Sequence, residues 1–526
     1  MVGKLRNRIP RGAKRTKFRA NPATSPPKPA KKVKRNSAAQ NDDNNNEENL
    51  PKDGCVESQM NLDTSFASDM FLDDNAIDSQ PNATDNISVT FGSLQLAPTP
   101  MRHIKRPSSD IKVSLEVDKS CEGELLAFGD GSTGQLGMGD EILRRKKPQL
   151  VSSLSSNIVQ ISAGGMHSLA LDANGKVFSW GCNDDYALGR ITQLVGSDDA
   201  EALEFIPQLV ELHKPAVQIS AGDSHSACLL QDGTVYIWGA FRNASGLIGL
   251  RQFEVIEKKP VRVDLSEHIV KISSGCDHLA MLSTSGHVYS IGNAQQGQLG
   301  RVGRFKSDYG GRTGLAKLLD PDIVRCQAYR DIRKPKKFID VWCGPYSTFV
   351  KDEFTNRILA CGLNNYYQLG HVKSECQYAL VPVLLSKEKN WIQIAAGLHH
   401  TLALNDDGEV YAFGRPEYGR LGLGTDDEVV IEPTRIDHLI KNGDPIIQIA
   451  CGGAVSFAVS RSGKVYSWGM GANFQTGHGE DDIDLPTEIK SKQLETRSAL
   501  KVSAGGQHTL LLALTNDLNL KSTNES

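Results

Sequence analysis

The chain has 526 residues, an apolar fraction of 39%, 49 glycines and a formal net charge of −3. That apolar share with so many glycines suits a globular, turn-rich β body and argues against a helical bundle or a wholly disordered chain. The small net charge conceals a strong segregation along the chain, and segregated charge is what points to partners.

In chain order, residues 1–35 carry thirteen Lys and Arg and no Asp or Glu, which predicts a basic, disordered arm. Residues 36–120 read as an acidic and polar low-complexity linker. Within 40–100, twelve Asp and Glu face one Lys, and there are too few large apolar residues for a packed core. No apolar run reaches 18 residues and the N-terminus lacks the apolar stretch of a signal peptide, so a soluble, non-secreted protein without a membrane partner is expected. The ten cysteines form no CxxC pair and no Cys/His set at metal spacing. They read as reduced, small core residues, with no disulfide, metal or cofactor expected.

Residues 121–514 repeat internally with a unit of about 50–70 residues, the length of a propeller blade. Each unit has a β-rich segment running into a glycine, at Gly164, Gly222, Gly275, Gly344, Gly397, Gly452 and Gly505. A turn and a second strand ending in Gly follow, as in Asn174-Gly-Lys-Val-Phe-Ser-Trp-Gly and Asp232-Gly-Thr-Val-Tyr-Ile-Trp-Gly. The Asn-Gly and Asp-Gly pairs are hairpin signals. Seven loops then begin at Gly129, Gly181, Gly239, Gly292, Gly362, Gly414 and Gly469. The first loop lacks the glycine-bearing strand that should precede it, and the last such strand lacks its loop. One blade is therefore shared between the two ends of the chain. The predicted fold is an all-β, seven-bladed propeller closed by N- and C-terminal strands, which leaves no exposed sheet edge. Residues 515–526 form a short tail.

Positions that recur in most blades answer a packing problem common to all; departures are candidates for function. A His three residues after the glycine recurs at His167, His225, His278, His400 and His508 and reads as a structural hydrogen-bonding group. Trp180, Trp238 and Trp468 read as blade-to-blade packing. The two residues between glycine and His vary, and place Asp223, Asp277, Tyr346 and His399 in consecutive blades on one rim. Six loops span eight residues between their glycines, whereas 239–249 spans ten. The extra residues fall within Phe241, Arg242, Asn243, Ala244, Ser245, Gly246, Leu247 and Ile248, predicting a short protrusion beside Asp223. A long connection after Gly300 carries Arg301, Arg304, Lys306 and Arg312 and suits an acidic surface.

The segments 181–190, 221–225, 277–279, 297–302, 417–424 and 492–495, with Gly165-Met166-His167, resemble the regulator of chromosome condensation family, chromatin-bound guanine nucleotide exchange factors for the Ran GTPase. The resemblance implies a seven-bladed propeller whose protruding loop, matched by 241–248, is a wedge driven against the GTPase. It places Asp223, Asp277, His399, Arg301 and His508 among the exchange and Ran-binding residues. It implies nucleosome docking through Arg304, Lys306 and Arg312, and DNA contact or recognition by a nuclear import receptor through Lys28, Lys31, Lys32, Lys34 and Arg35. A monomeric, nuclear, chromatin-associated protein supporting nucleocytoplasmic transport, spindle assembly and nuclear envelope formation follows, acting without covalent chemistry. Where the family carries Asp in the first loop, this chain has Ser132, with Asp130 two residues earlier. The alternative is a propeller that serves only as a scaffold for chromatin or other proteins.

Overall fold

Seven four-stranded antiparallel sheets follow one another along the chain. The computed structural model describes residues 113–516 apart from 156, 193–202, 308–313, 327–335, 425–427 and 442. Blade 1 comprises Ile158–Ala163, His167–Asp172, Val177–Gly181 and Gln208–Val210, from the central channel outward. Blade 2 (Ala216–Ala221, His225–Leu230, Val235–Gly239, Glu257–Arg262) and blade 3 (Ile269–Ser274, His278–Ser283, Val288–Gly292, Asp322–Ile323) repeat the pattern, as do blades 4 to 6. In blade 7 the two inner strands, Arg497–Ala504 and His508–Thr515, come from the C-terminal end, and the two outer ones, Glu124–Asp130 and Arg144–Leu150, from the N-terminal end. Glu124 pairs with Ala513 and Gly129 with His508. The Arg497 guanidinium closes on Glu124 at 2.7 Å. The shared blade expected from the unequal ends of the repeat is therefore present.

The second strand of blades 1 to 6 is buried throughout, as in His167–Asp172 and His225–Leu230, and that of blade 7 over its first six residues, because neighbouring blades cover both its faces. Strands buried on two faces lose polar alternation. The core is accordingly a ring of interblade clusters: Val159, Leu169 and Leu171 of blade 1 pack on Ile219, Cys228 and Trp238 of blade 2. The Asn-Gly and Asp-Gly pairs make longer turns than a two-residue hairpin. Gly175 N–H donates to Asp172 O and Gly233 N–H to Leu230 O, with only the glycines at positive φ, 79° and 78°. This is a type I turn followed by a left-handed glycine.

The recurring histidines and tryptophans are interblade fasteners. His167 Nε2 lies 2.8 Å from Ser226 Oγ in the next blade, and that hydroxyl donates to Ala187 O, which Trp238 Nε1 also reaches at 2.7 Å. Gln218 performs the same task nearer the channel, exchanging two 2.9 Å bonds with the Ile272 peptide of blade 3. The histidines are fully buried and burial pulls them far down, His167 to about 4 and His508 to about 3, so they stay neutral. The glycines belong to the same packing problem. A Cβ at Gly189 would lie 2.8 Å from the Trp238 ring, and one at Gly222 would lie 2.1 Å from His225 Cε1 and 2.7 Å from Cys276 O. Gly222→Ala is thus expected to cost about 1–3 kcal/mol and lower the thermal midpoint; an unchanged melt would argue against this packing.

Candidate functional site

The turns that follow the innermost strands converge around the mouth of the channel. Their backbones are stitched from blade to blade: Gly165 N–H donates to Gly222 O, Asp223 N–H to Cys276 O and Cys276 N–H to Pro345 O. They enclose a cavity of about 450 Å³ open to solvent. This stitching turns side chains distant in sequence into neighbours with set spacing.

Asp223, Asp277, Tyr346 and His399 occupy that rim, as their positions in the repeat predict. Asp223 reaches the water of the mouth but is hemmed in by the surrounding turns, and this desolvation pushes its carboxyl above the usual range. Asp277 is more enclosed. Desolvation, opposed by an N–H from Arg242 and reinforced by the Asp223 charge, lifts it to about 7. Burial and the charges of Cys276, Asp223 and Asp277 raise the Tyr346 phenol to about 12. His399 is held below the ordinary imidazole range by burial and by Arg420 and Arg415. Its ring stacks edge-on against Tyr366 at 5.0 Å, and Arg415 lies 4.7 Å over the other ring. The rim thus runs from a carboxyl pair in blades 2 and 3 to an aromatic and cationic cluster of His399, Tyr366 and Arg415.

The ten-residue loop folds into a separate two-stranded hairpin, Phe241–Asn243 against Gly246–Gly249. Ser245 N–H donates to Asn243 Oδ1 and Gly246 takes φ 114°, which closes the turn. Phe241 and Ile248 are fully buried at its base, and Phe241 stacks on His225 with centroids 4.6 Å apart. Among the eight wedge residues, then, Phe241 and Ile248 anchor the hairpin and are not contact residues. Arg242, Ala244 and Ser245 are exposed, and Asn243, Gly246 and Leu247 are half-buried. The hairpin's polar contacts go to the flanking blades and not to Asp223 of its own. Arg242 N–H donates to Asp277 at 2.7 Å, Asn293 Nδ2 donates to Arg242 O, and Ala244 N–H donates to Gln295.

Two expectations need correction, and the question raised by Ser132 is answered. Arg301 is buried, with Nε 3.0 Å from Ser290 O and Nη2 3.1 and 2.8 Å from Leu318 O and Asp320 O. Arg190 makes the equivalent bonds to Ser179 O and Leu203 O in blade 1. Both follow the closing glycine of a loop, so this is a repeated structural staple and offers no group to a partner. His508 is likewise buried, 2.8 Å from Ser168 Oγ, joining blade 7 to blade 1. Asp130 does not take over the outward position of Ser132: its carboxylate is buried, accepting Ser132 N–H and Arg144 Nε.

Arg304 and Lys306 are exposed on a one-turn helix, Arg304–Ser307. Arg312 and the basic run Lys28, Lys31, Lys32, Lys34 and Arg35 lie outside the described residues. Reading the sequence missed Asp185, Asn293 and Gln295, which hold the hairpin from the two flanking blades. Polar residues in the loops on either side of the register slip were the available signal.

Residues 124–511 match the RCC1-like domain family. The human protein named regulator of chromosome condensation is 43% identical over 410 residues, 77% of this chain and 94% of its own length. The guanine nucleotide exchange factor SRM1 of Saccharomyces cerevisiae is 32% identical, with 74% of this chain and 86% of that protein covered. Among solved structures, Prp20p from Saccharomyces cerevisiae, studied with its binding to Gsp1p and histones, superposes with a TM-score of 0.66 at 29% identity, covering 77% and 93% of the two chains. Yeast RCC1 (Prp20) bound to Kap60 gives 0.67 at 28% identity, covering 84% and 97%.

Proposed function

The chain belongs to the regulator of chromosome condensation family, and on that premise we propose that it is a guanine nucleotide exchange factor for the Ran GTPase, working at chromatin. The observation that carries the reading is the 241–249 hairpin joined through Arg242 N–H to Asp277, which forms a carboxyl pair with Asp223 of the preceding blade. A relative carries the exchange-factor name, and the yeast homologue Prp20p was studied for its binding to Gsp1p and histones.

In this mechanism the rim receives cationic and polar groups of Ran while the hairpin intrudes on the nucleotide site. Asp277, held near neutrality in the free protein, ionises fully when a cation arrives, because an opposite charge favours the ionised form. No bond is made or broken. If the propeller weakens nucleotide binding by a given factor, nucleotide weakens propeller binding by the same factor, and incoming GTP, in cellular excess, releases the complex. Nucleotide-free Ran on the propeller is the intermediate.

Chromatin is engaged elsewhere on the chain. Arg304 and Lys306, with Arg312, supply a basic element for the acidic surface of the histones, and the arm's phosphate contacts add a salt-sensitive, sequence-independent term. The run 28–35 serves as the import signal, in keeping with a yeast homologue solved with Kap60, and gives a nuclear location. Purified chain is expected to accelerate release of labelled GDP from Ran at catalytic concentrations. A folded chain that leaves the release rate at its intrinsic value would overturn the reading and favour the scaffold alternative.

A further inference from the structure

The hairpin's exposed arm is tied to a residue two blade-junctions away from its other anchor. Arg242 Nε and Nη2 lie 2.7 and 2.5 Å from the two carboxylate oxygens of Asp185, in the blade 1 loop. The backbone N–H of the same arginine is taken by Asp277 of blade 3. Arg242 is thus gripped from both sides, side chain by the preceding blade and main chain by the following one. A two-pronged guanidinium–carboxylate contact defines direction as well as distance. Asp185 is largely sheltered while Arg242 stays half-exposed, with side-chain exposures of 13% and 47%. The carboxylate is therefore the fixed partner. Hydrogen bonds from Arg242 and Ser224 and the Arg242 charge hold Asp185 below the usual carboxylate range, although burial opposes them. Ser224 adjoins Asp223, so Asp185 contacts the hairpin and the acidic rim together.

We infer that Asp185 is a positioning residue for exchange: its grip on Arg242 presets the angle at which the hairpin projects from the rim. The inference rests on the exchange reading above. Without the grip, the hairpin keeps its base, since Phe241 and Ile248 stay buried, but its tip samples other directions and fewer encounters with Ran are productive. Ordering that geometry beforehand removes a cost otherwise met in the rate-limiting state.

The test is Asp185→Asn, Asp185→Glu and Arg242→Ala with the double variant Asp185→Asn/Arg242→Ala, each with thermal melts. Asp185→Asn is expected to lower kcat for GDP release by roughly tenfold, about 1.4 kcal/mol, with KM and the melting midpoint little changed. Asp185→Glu restores most of the rate, and the double variant is no slower than the worse single one. Hydrogen exchange of residues 241–249 in the free protein reads the latch without Ran, and faster exchange in Asp185→Asn is expected. Wild-type kcat and hairpin protection in Asp185→Asn, or single effects that multiply in the double variant, would sink the latch while leaving the exchange reading intact. An inactive wild type with a loosened Asp185→Asn hairpin would instead sink the exchange reading, and Asp185's role in exchange with it, while leaving its grip on the hairpin in place.

Discussion

Asp277→Asn is expected to slow GDP release from Ran by well over tenfold while leaving the ring folded. Removing one partner of an enclosed charge contact at an interface costs about 2–5 kcal/mol, and Asp277 is the more enclosed member of the rim pair. Asparagine keeps an oxygen that can accept the Arg242 N–H, so the hairpin stays in place and the lost quantity is charge. The pH dependence separates this from a packing defect. The carboxyl sits at about 7 in the folded chain against the 3.8 of an unperturbed aspartate. Below about pH 7 it is largely protonated and offers a partner no charge, so kcat/KM is expected to rise through neutrality as it ionises, and Asp277→Asn flattens that rise. Stability runs the other way. Between the unfolded and folded values the native state holds a proton that the unfolded chain has lost, so this group's stabilisation is complete below the unfolded value and lost as pH rises towards 7. Asp277→Asn should remove that slope from thermal melts between pH 4 and 7. A rate profile identical to wild type in a folded Asp277→Asn would remove Asp277 from the mechanism.

Excising Ala244 and Ser245 returns the 239–249 loop to the eight-residue spacing of the other six, and exchange is expected to fall to near the intrinsic rate. The two residues form the hairpin tip, and without them Asn243 and Gly246 have no turn through which to pair. The ring should survive. Phe241 remains to stack on His225 and Ile248 remains in the core, and the strands of blade 2 keep their registers with one another. Stopped-flow release of labelled GDP gives the rate, and a melt confirms the fold. The variant should still associate with nucleotide-free Ran through the rim, because Asp223, Asp277 and His399 are untouched. Binding without release is therefore the expected phenotype, and near-wild-type release would assign the work to the rim alone.

The recurring residues and the departures from them fared differently in the structure. Histidine, tryptophan and loop glycine positions had structural reasons that repetition had already implied: a hydroxyl relay, an indole and a close approach, each repeated in several blades. Arg301 and His508 were assigned to the partner surface by resemblance, yet both belong to repeated positions. Arg190 makes the same staple as Arg301, and His167 the same relay as His508. Repetition within the chain was the better guide to their role here. The Asn-Gly turns carried a smaller misreading, since a left-handed glycine can close a longer turn as well as a two-residue one.

From sequence alone came the seven-fold repeat, the blade shared by the two ends, the register slip at 239–249 and the placement of Asp223, Asp277, Tyr346 and His399 on one rim. All of these are periodic properties, and a blade repeats because every blade meets the same neighbours. Tertiary structure alone decided that the slip is a hairpin with a buried base, that desolvation lifts Asp277 towards neutrality, and that Asp185 and Asp277 hold Arg242 between them. Those contacts join residues 57 and 35 positions apart in loops of three different blades. No local pattern encodes them: ring closure sets the distance between neighbouring rims, and only that distance determines which carboxylate a given arginine reaches.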